Sequence, residues 1–220
     1  MPKETFYNLP DEKKQLIENI AIDEFAEYGF DKASINRMVI TMQIAKGSFY
    51  QYFEDKKDLF SHLIQCVGEK KLAYMSPVLA NPDGHDFFII LEALYHSGLA
   101  FAKENPKAAL LGNQYYTNKD HPELKEIFRN NIHRARDFYG NLVDTAISRG
   151  EVRPNINRDF TIHMLITMNV SLLEYYFEEV LGQDFDLSHM EDDIMDTIKL
   201  SLDFIKNGIG ITHTGETNDD

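Results

Sequence analysis

The chain holds a single cysteine, Cys66, among its 220 residues, and no tryptophan. A lone thiol closes no intramolecular disulfide, so the apolar core must hold the fold, and the composition fits a reducing, cytoplasmic setting. Long apolar runs are missing too. No stretch approaches the ~18 residues that mark a membrane-spanning helix, and Met1-Pro2-Lys3-Glu4 lacks a signal peptide's apolar run. Neither secretion nor a membrane partner is expected. Basic residues are scarce: 22 Lys and Arg face 36 Asp and Glu, for a net charge of −14. Such a balance excludes a general nucleic-acid coat protein, because phosphate contacts supply most non-specific affinity. Two-residue alternation is absent as well, so no segment reads as a strand.

The acidic excess is unevenly placed. Residues 1–71 carry 10 Lys and Arg against 12 Asp and Glu, whereas residues 72–220 carry 12 against 24. The front third is nearly neutral and can present a local basic surface. A duplex would repel the remainder, which suits a domain directed away from DNA.

What the chain does have is helical periodicity. Ile17, Ile20, Ala21, Phe25 and Tyr28 fall on one stripe of an amphipathic helix, opened by Pro10 and Asp11 and stopped by Gly29 in a left-handed conformation. Ser34 is a suitable N-cap for a short helix from Ile35 to about Met42. A tight turn at Gln43-Ile44 leads to a third helix, Lys46 to Phe53. Asp55 restarts the chain at Lys56, with Leu59, Phe60, Leu63, Ile64 and Val67 inward. After the Asn81-Pro82-Asp83-Gly84 break, helices are expected over 86–104, 106–116, 122–149, 158–181 and 188–206. That makes an all-α protein of about nine helices.

Two short helices joined by a tight turn meet the geometric need of a helix-turn-helix, whose second helix enters the major groove. Ile35, Met38, Val39 and Ile44 can pack inward and set the interhelical angle. Lys46, Ser48, Tyr50 and Gln51 then lie on or near the exposed face, and Gly47 lets the backbone approach DNA closely. Lysine, hydroxyls and helix N-terminal amides bind phosphates, while Gln51 can read an adenine edge. Phe49 and Phe53 read as core aromatics. Lys3 to Tyr7 is a candidate minor-groove arm.

Over residues 16–64 the sequence resembles the TetR family of regulators. The resemblance rests on Phe25-Ala26-Glu27-Tyr28-Gly29-Phe30, on Ser34 and Ile35, on Ala45-Lys46-Gly47-Ser48-Phe49-Tyr50-Gln51-Tyr52-Phe53, and on Lys56 and Leu59. It implies phosphate contacts from Lys46, Ser48, Tyr50, Tyr52 and Lys56, with Arg37, Gln43, Gly47 and Gln51 nearer the bases or groove wall. It also implies a DNA-binding domain over 1–55 and a ligand-binding and dimerisation domain over 56–211; the polar, acidic end over 212–220 reads as a frayed tail. The chain departs from the family where Ala-Gly is common in the turn and Met42-Gln43 stands here. Ala45 stands where a capping serine is common, and Tyr52 where a histidine is.

The resemblance implies a repressor that binds a palindromic operator in double-stranded DNA as a homodimer and is released by a small effector. The helices near 158–181 and 188–206 are the expected dimerisation pair, through the stripes Met164, Met168, Leu172, Tyr175 and Ile194, Ile198, Leu202, Ile205. Residue type alone suggests a pocket for a hydrophobic or aromatic effector, drawn from Asn113, Tyr116, Phe128, His133, Met164, Met168 and Phe177. An enzyme is disfavoured: the histidines show no compact ligand spacing, and neither a glycine-rich phosphate loop nor a Gly-x-Ser-x-Gly elbow is present. Cys66 has no partner motif, and Glu174, Glu178 and Glu179 read as a solvated charge cluster. No catalytic residue, metal ligand or cofactor is therefore expected. The remaining alternative is a ligand-binding module without a DNA role, favoured by the near-neutral head and the uncapped Ala45.

Overall fold

The computed structural model describes residues 1–79, 85–175 and 191–211. These form ten helices: α1 (Glu4–Tyr7), α2 (Asp11–Lys32), α3 (Ile35–Thr41), α4 (Lys46–Tyr52), α5 (Lys56–Leu79), α6 (Phe87–Glu104), α7 (Pro106–Thr117), α8 (Lys125–Ser148), α9 (Arg158–Tyr175) and α10 (Glu191–Ile209). The all-α expectation holds. The described residues contain no strand, only one isolated antiparallel bridge between Val152 and Gly210. The helix not foreseen is α1, a single turn fixed by burial of Phe6. Helix α8 begins three residues later than expected because 122–124 close a turn on the His121 carbonyl, which accepts from Leu124 and Lys125 N–H at 3.0 Å each. The expected extensions over 176–181 and 188–190 lie outside the described residues, as does the tail from 212.

The described chain packs as two compact units. One comprises Met1–Tyr74 and Gly98–Asn130, the other Met75–Ser97 and the residues from Asn131 onward. Helices α5, α6 and α8 each contribute residues to both.

The first unit is built on aromatic contacts. Phe25, Phe30 and Phe60 are buried, with Phe60 edge-on to the other two at 5.0 and 5.1 Å between ring centroids. Leu59, Leu63, Ile64 and Val67 of α5 join them on the inward face that the sequence pattern indicates. Helix α7 closes against α2, where the Gln114 side-chain amide donates to the Ala26 carbonyl at 2.9 Å. The His121 ring also lies edge-on to Phe30 and reaches the Asp31 carboxylate at 2.9 Å. Residues 98–130 therefore belong to the same packing unit as the N-terminal helices. The second unit buries Phe87, Ile90, Leu91 and Leu94 of α6 with Val143, Ala146, Ile162, Leu165, Ile166 and Ile205. There, Arg158 holds Asp144 through two charge-assisted bonds of 2.6 and 2.7 Å.

Candidate nucleic-acid interface

Helix α3 starts where sequence chemistry says it should. The Ser34 hydroxyl accepts from the Arg37 backbone N–H at 3.4 Å, and the Glu24 carboxylate accepts from Ser34 N–H at 2.7 Å. The helix ends in a Schellman turn: Gln43 N–H donates to Ile40 and Ile44 N–H to Val39, at 3.1 and 3.0 Å. That closure requires a left-handed residue, and Gln43 supplies it at φ +55. Gln43 thus occupies the backbone position that suits the glycine common in the family's turn.

Beyond the turn, Ala45 precedes α4 in extended conformation and makes no side-chain cap. Phe49 and Phe53 anchor the helix in the core at 1% and 0% exposure, as their spacing indicates. This anchoring turns Lys46, Gly47, Tyr50 and Gln51 outward, all exposed, with Ser48 and Tyr52 half-buried. Tyr52 leans edge-on against Phe6 at 6.3 Å, so the core holds part of its ring. Ile40, which the sequence reading did not single out, stands 75% exposed on α3 beside the turn. Its place off the Ile35, Met38, Val39 stripe was the available signal.

Four expectations change in detail. Lys3–Tyr7 is not a free arm. Its backbone and side chains close the end of α4: Lys3 N–H donates to the Tyr52 carbonyl at 2.8 Å, Lys3 Nζ to Tyr50 at 2.8 Å, and the Thr5 hydroxyl to Gln51. Arg37 is folded back on α2. Its Nε donates to Glu24 at 2.9 Å, a terminal nitrogen donates to the Lys32 carbonyl at 2.8 Å, and the guanidinium lies 4.1 Å above the Tyr28 ring. The hydrogen bond to Glu24 holds the guanidinium above its ordinary range. Tyr28 consequently faces outward under Arg37 and not into the core. Lys56 likewise donates to the Asp31 carbonyl at 3.1 Å and sits over the Phe30 ring at 4.7 Å.

The turn between α4 and α5 is held by reciprocal caps. Asp55 accepts from Asp58 N–H at 2.7 Å, and Asp58 accepts from Glu54 N–H at 3.1 Å.

Residues 19–63, which span this geometry, match the model of the bacterial regulatory proteins of the tetR family. Over these residues the chain carries the DNA-binding domain of a TetR-family transcriptional regulator. It is 25% identical over 206 residues to the uncharacterized HTH-type transcriptional regulator YvdT of Bacillus subtilis, covering 92% of this chain and 98% of that one. A TetR-family regulator from Chloroflexus aurantiacus superposes with a TM-score of 0.69 at 28% identity, over 96% of this chain and all of that one. The regulator FadR of Bacillus subtilis, solved with stearoyl-CoA, shares the fold at 13% identity and a TM-score of 0.72, over 89% and 98% of the two chains.

The expected effector residues divide between the two units. Asn113, Tyr116 and Phe128 lie in the first, His133, Met164 and Met168 in the second, and Phe177 lies outside the described residues. Within the first unit Tyr115, Tyr116 and Phe128 form a mutual cluster with centroid separations of 5.5 to 5.8 Å. Burial raises the Tyr116 hydroxyl above the usual phenol range. On the same helix the Asn113 side-chain oxygen is buried with no hydrogen-bond partner among the described residues. Within the second unit His133 is exposed, Met168 packs against the core and Met164 is half-buried.

The stripe proposed for α10 faces the chain's own core. Ile194, Ile198 and Ile205 are 6%, 4% and 5% exposed, and Leu202 packs beside them. The apolar residues that α10 leaves in solvent are Leu200 and Phe204, at 72% and 68% exposure. Helical periodicity finds a face but does not say whether the same or another chain covers it.

One cluster escaped the sequence reading altogether. Glu18 of α2 meets His62 and Cys66 of α5, with His62 Nε2 2.8 Å from the carboxylate and the Cys66 sulfur 3.5 Å from the same nitrogen. Burial first, then the neighbouring carboxylates Glu18 and Glu69, push the Cys66 thiol up to about 12. The i, i+4 spacing of His62 and Cys66 was visible in sequence; the approach of Glu18 was not.

Proposed function

We propose that this TetR-family regulator is a cytoplasmic repressor that binds a palindromic operator as a homodimer. Residues 1–55 bind DNA; residues 56–211 bind a small effector and dimerise. The supporting observation is the exposed face of α4, where Lys46, Gly47, Tyr50 and Gln51 project from a helix whose Phe49 and Phe53 are locked in the core. Rigid anchoring of one face lets the other dock without ordering cost. Lys46, Ser48, Tyr50 and Tyr52 contact phosphates, and Gln43, Gly47 and Gln51 approach the groove. Ile40 offers apolar contact to a thymine methyl. Arg37 and Lys56 brace the head through their intrachain bonds and offer DNA only the donors left over.

Dimerisation runs through α9 and α10, with Leu200 and Phe204 as the apolar contacts. An effector with apolar or aromatic bulk and one hydrogen-bond donor suits Tyr116, Phe128 and the orphan Asn113 oxygen. His133, Met164, Met168 and Phe177 stand as further candidate contacts on residue type alone. The FadR complex with stearoyl-CoA offers a precedent, on the same fold, for an apolar ligand. Release requires that the effector bind the DNA-incompetent arrangement more tightly than the competent one, with α5, which follows the recognition helix, as the lever.

A footprint on the DNA upstream of the chain's own gene tests the reading. It should reveal an inverted repeat whose half-sites lie roughly 34–36 Å apart. Protection of one isolated half-site, or none, would overturn the dimeric repressor.

A further inference from the structure

We propose that Glu18, His62 and Cys66 form a binding site for one divalent ion of the zinc class, fastening α2 to α5. The three side chains offer one oxygen, one nitrogen and one sulfur, all within 4.8 Å of one another. A tetrahedral zinc with bonds of ~2.0 Å to nitrogen and oxygen and ~2.3 Å to sulfur separates its ligands by roughly 3.3 to 3.6 Å. The observed sulfur to Nε2 distance is 3.5 Å and sulfur to carboxylate 3.9 Å. The His62–Glu18 pair, at 2.8 Å, must open by roughly 0.5 Å and the sulfur–carboxylate pair close by roughly 0.3 Å for that geometry. The ion takes the place of the proton those two now share, which passes to His62 Nδ1 and leaves the imidazole neutral.

The surroundings suit the same ion. His62 is 7% exposed, with Phe6 edge-on at 5.2 Å and Phe53 at 6.0 Å, so apolar walls keep water from competing on that side. A carboxylate, a thiolate and a neutral imidazole leave a divalent ion with no net charge, which a half-buried site tolerates. Binding transfers the thiol proton to solvent as the metal–sulfur bond forms. Magnesium and calcium are disfavoured, since they demand a shell of oxygens that one carboxylate does not supply. As hydrogen-bonded groups alone the three are unevenly matched: His62 and Glu18 pair at 2.8 Å, while the thiol, a weak donor, reaches the carboxylate only at 3.9 Å. As a ligand set they need little movement. Because α5 follows the recognition helix α4, the ion stiffens the scaffold that carries the DNA-reading head.

The test uses the full-length chain, reduced and stripped by a chelator, with Co²⁺ as the optical probe. One Co²⁺ per chain should bind with tetrahedral d–d bands and a thiolate-to-cobalt charge-transfer band, and Zn²⁺ should displace it. Cys66→Ser should abolish the charge-transfer band. Glu18→Gln, which keeps the thiol, should weaken cobalt binding roughly tenfold or more while the band persists at saturation. If Cys66→Ser fails to fold by circular dichroism, the wild-type spectrum and the Glu18→Gln titration decide alone. Cobalt-saturated wild type without a thiolate band overturns the proposal. So does a Glu18→Gln variant with wild-type affinity, or a folded Cys66→Ser variant with an unchanged spectrum.

Discussion

Gln43 and Gly29 hold the two unusual backbone conformations of the DNA-binding head, and they respond oppositely to substitution. Gln43 sits at φ +55 in the α3–α4 turn, where a side chain costs ~1–2 kcal/mol and glycine's extra freedom when unfolded returns ~0.5–1 kcal/mol. Gln43→Gly should therefore stabilise the chain by about 0.5–1 kcal/mol, read as a higher urea midpoint at unchanged slope. Gly29, at φ +70 and ψ 171, lies in a mirror-extended region open almost only to glycine, not in the left-handed helical region its position suggested. A Cβ there would meet nothing within 4 Å, so the penalty is confined to the backbone. Gly29→Ala should cost about 1–3 kcal/mol in the same assay. Single residues were legible where chemistry is local: Ser34 as a cap, Phe49 and Phe53 as anchors. They were not legible where a distant group decides. Arg37 is claimed by Glu24, 13 residues away, and His62 by Glu18, 44 residues away.

At the scale of elements, α4 is a seven-residue helix, too short to persist without its neighbours. Its C-terminal carbonyls are covered by Lys3 and Thr5, while its N-terminus has no side-chain cap. Ala45 already has the extended backbone of an N-cap, at φ −66 and ψ 143. Ala45→Ser should therefore raise stability by about 0.5–1 kcal/mol, measured by thermal or urea unfolding. Helix positions were largely readable because apolar spacing, Ser34, Asp55 and the prolines mark their ends. Helix α1 was not, because four residues carry too little periodicity and its fixing contacts come from α4.

At the scale of the whole molecule, the charge division leaves the N-terminal head almost neutral within a chain of net charge −14. DNA affinity must then come from a few placed residues. Oligomeric state is the second whole-molecule expectation. Leu200 and Phe204 carry a large exposed apolar surface on α10, and placing a charge at such a surface costs more in a dimer than in a monomer. Phe204→Glu should shift the chain toward monomer in sedimentation equilibrium without loss of helicity, and specific DNA binding should weaken with it. Periodicity alone drew the expected interface onto Ile194, Ile198, Leu202 and Ile205, of which Ile194, Ile198 and Ile205 are buried within the chain itself.

DNA recognition by the exposed face of α4 is tested most directly by a salt titration of operator binding, wild type beside Lys46→Ala. Wild type should bind its upstream DNA selectively, with log affinity falling linearly against log salt. Lys46→Ala should weaken binding and flatten that slope by about one unit, the share of one phosphate contact. Equal slopes for the two proteins, or no selectivity for upstream DNA even at low salt, would contradict it.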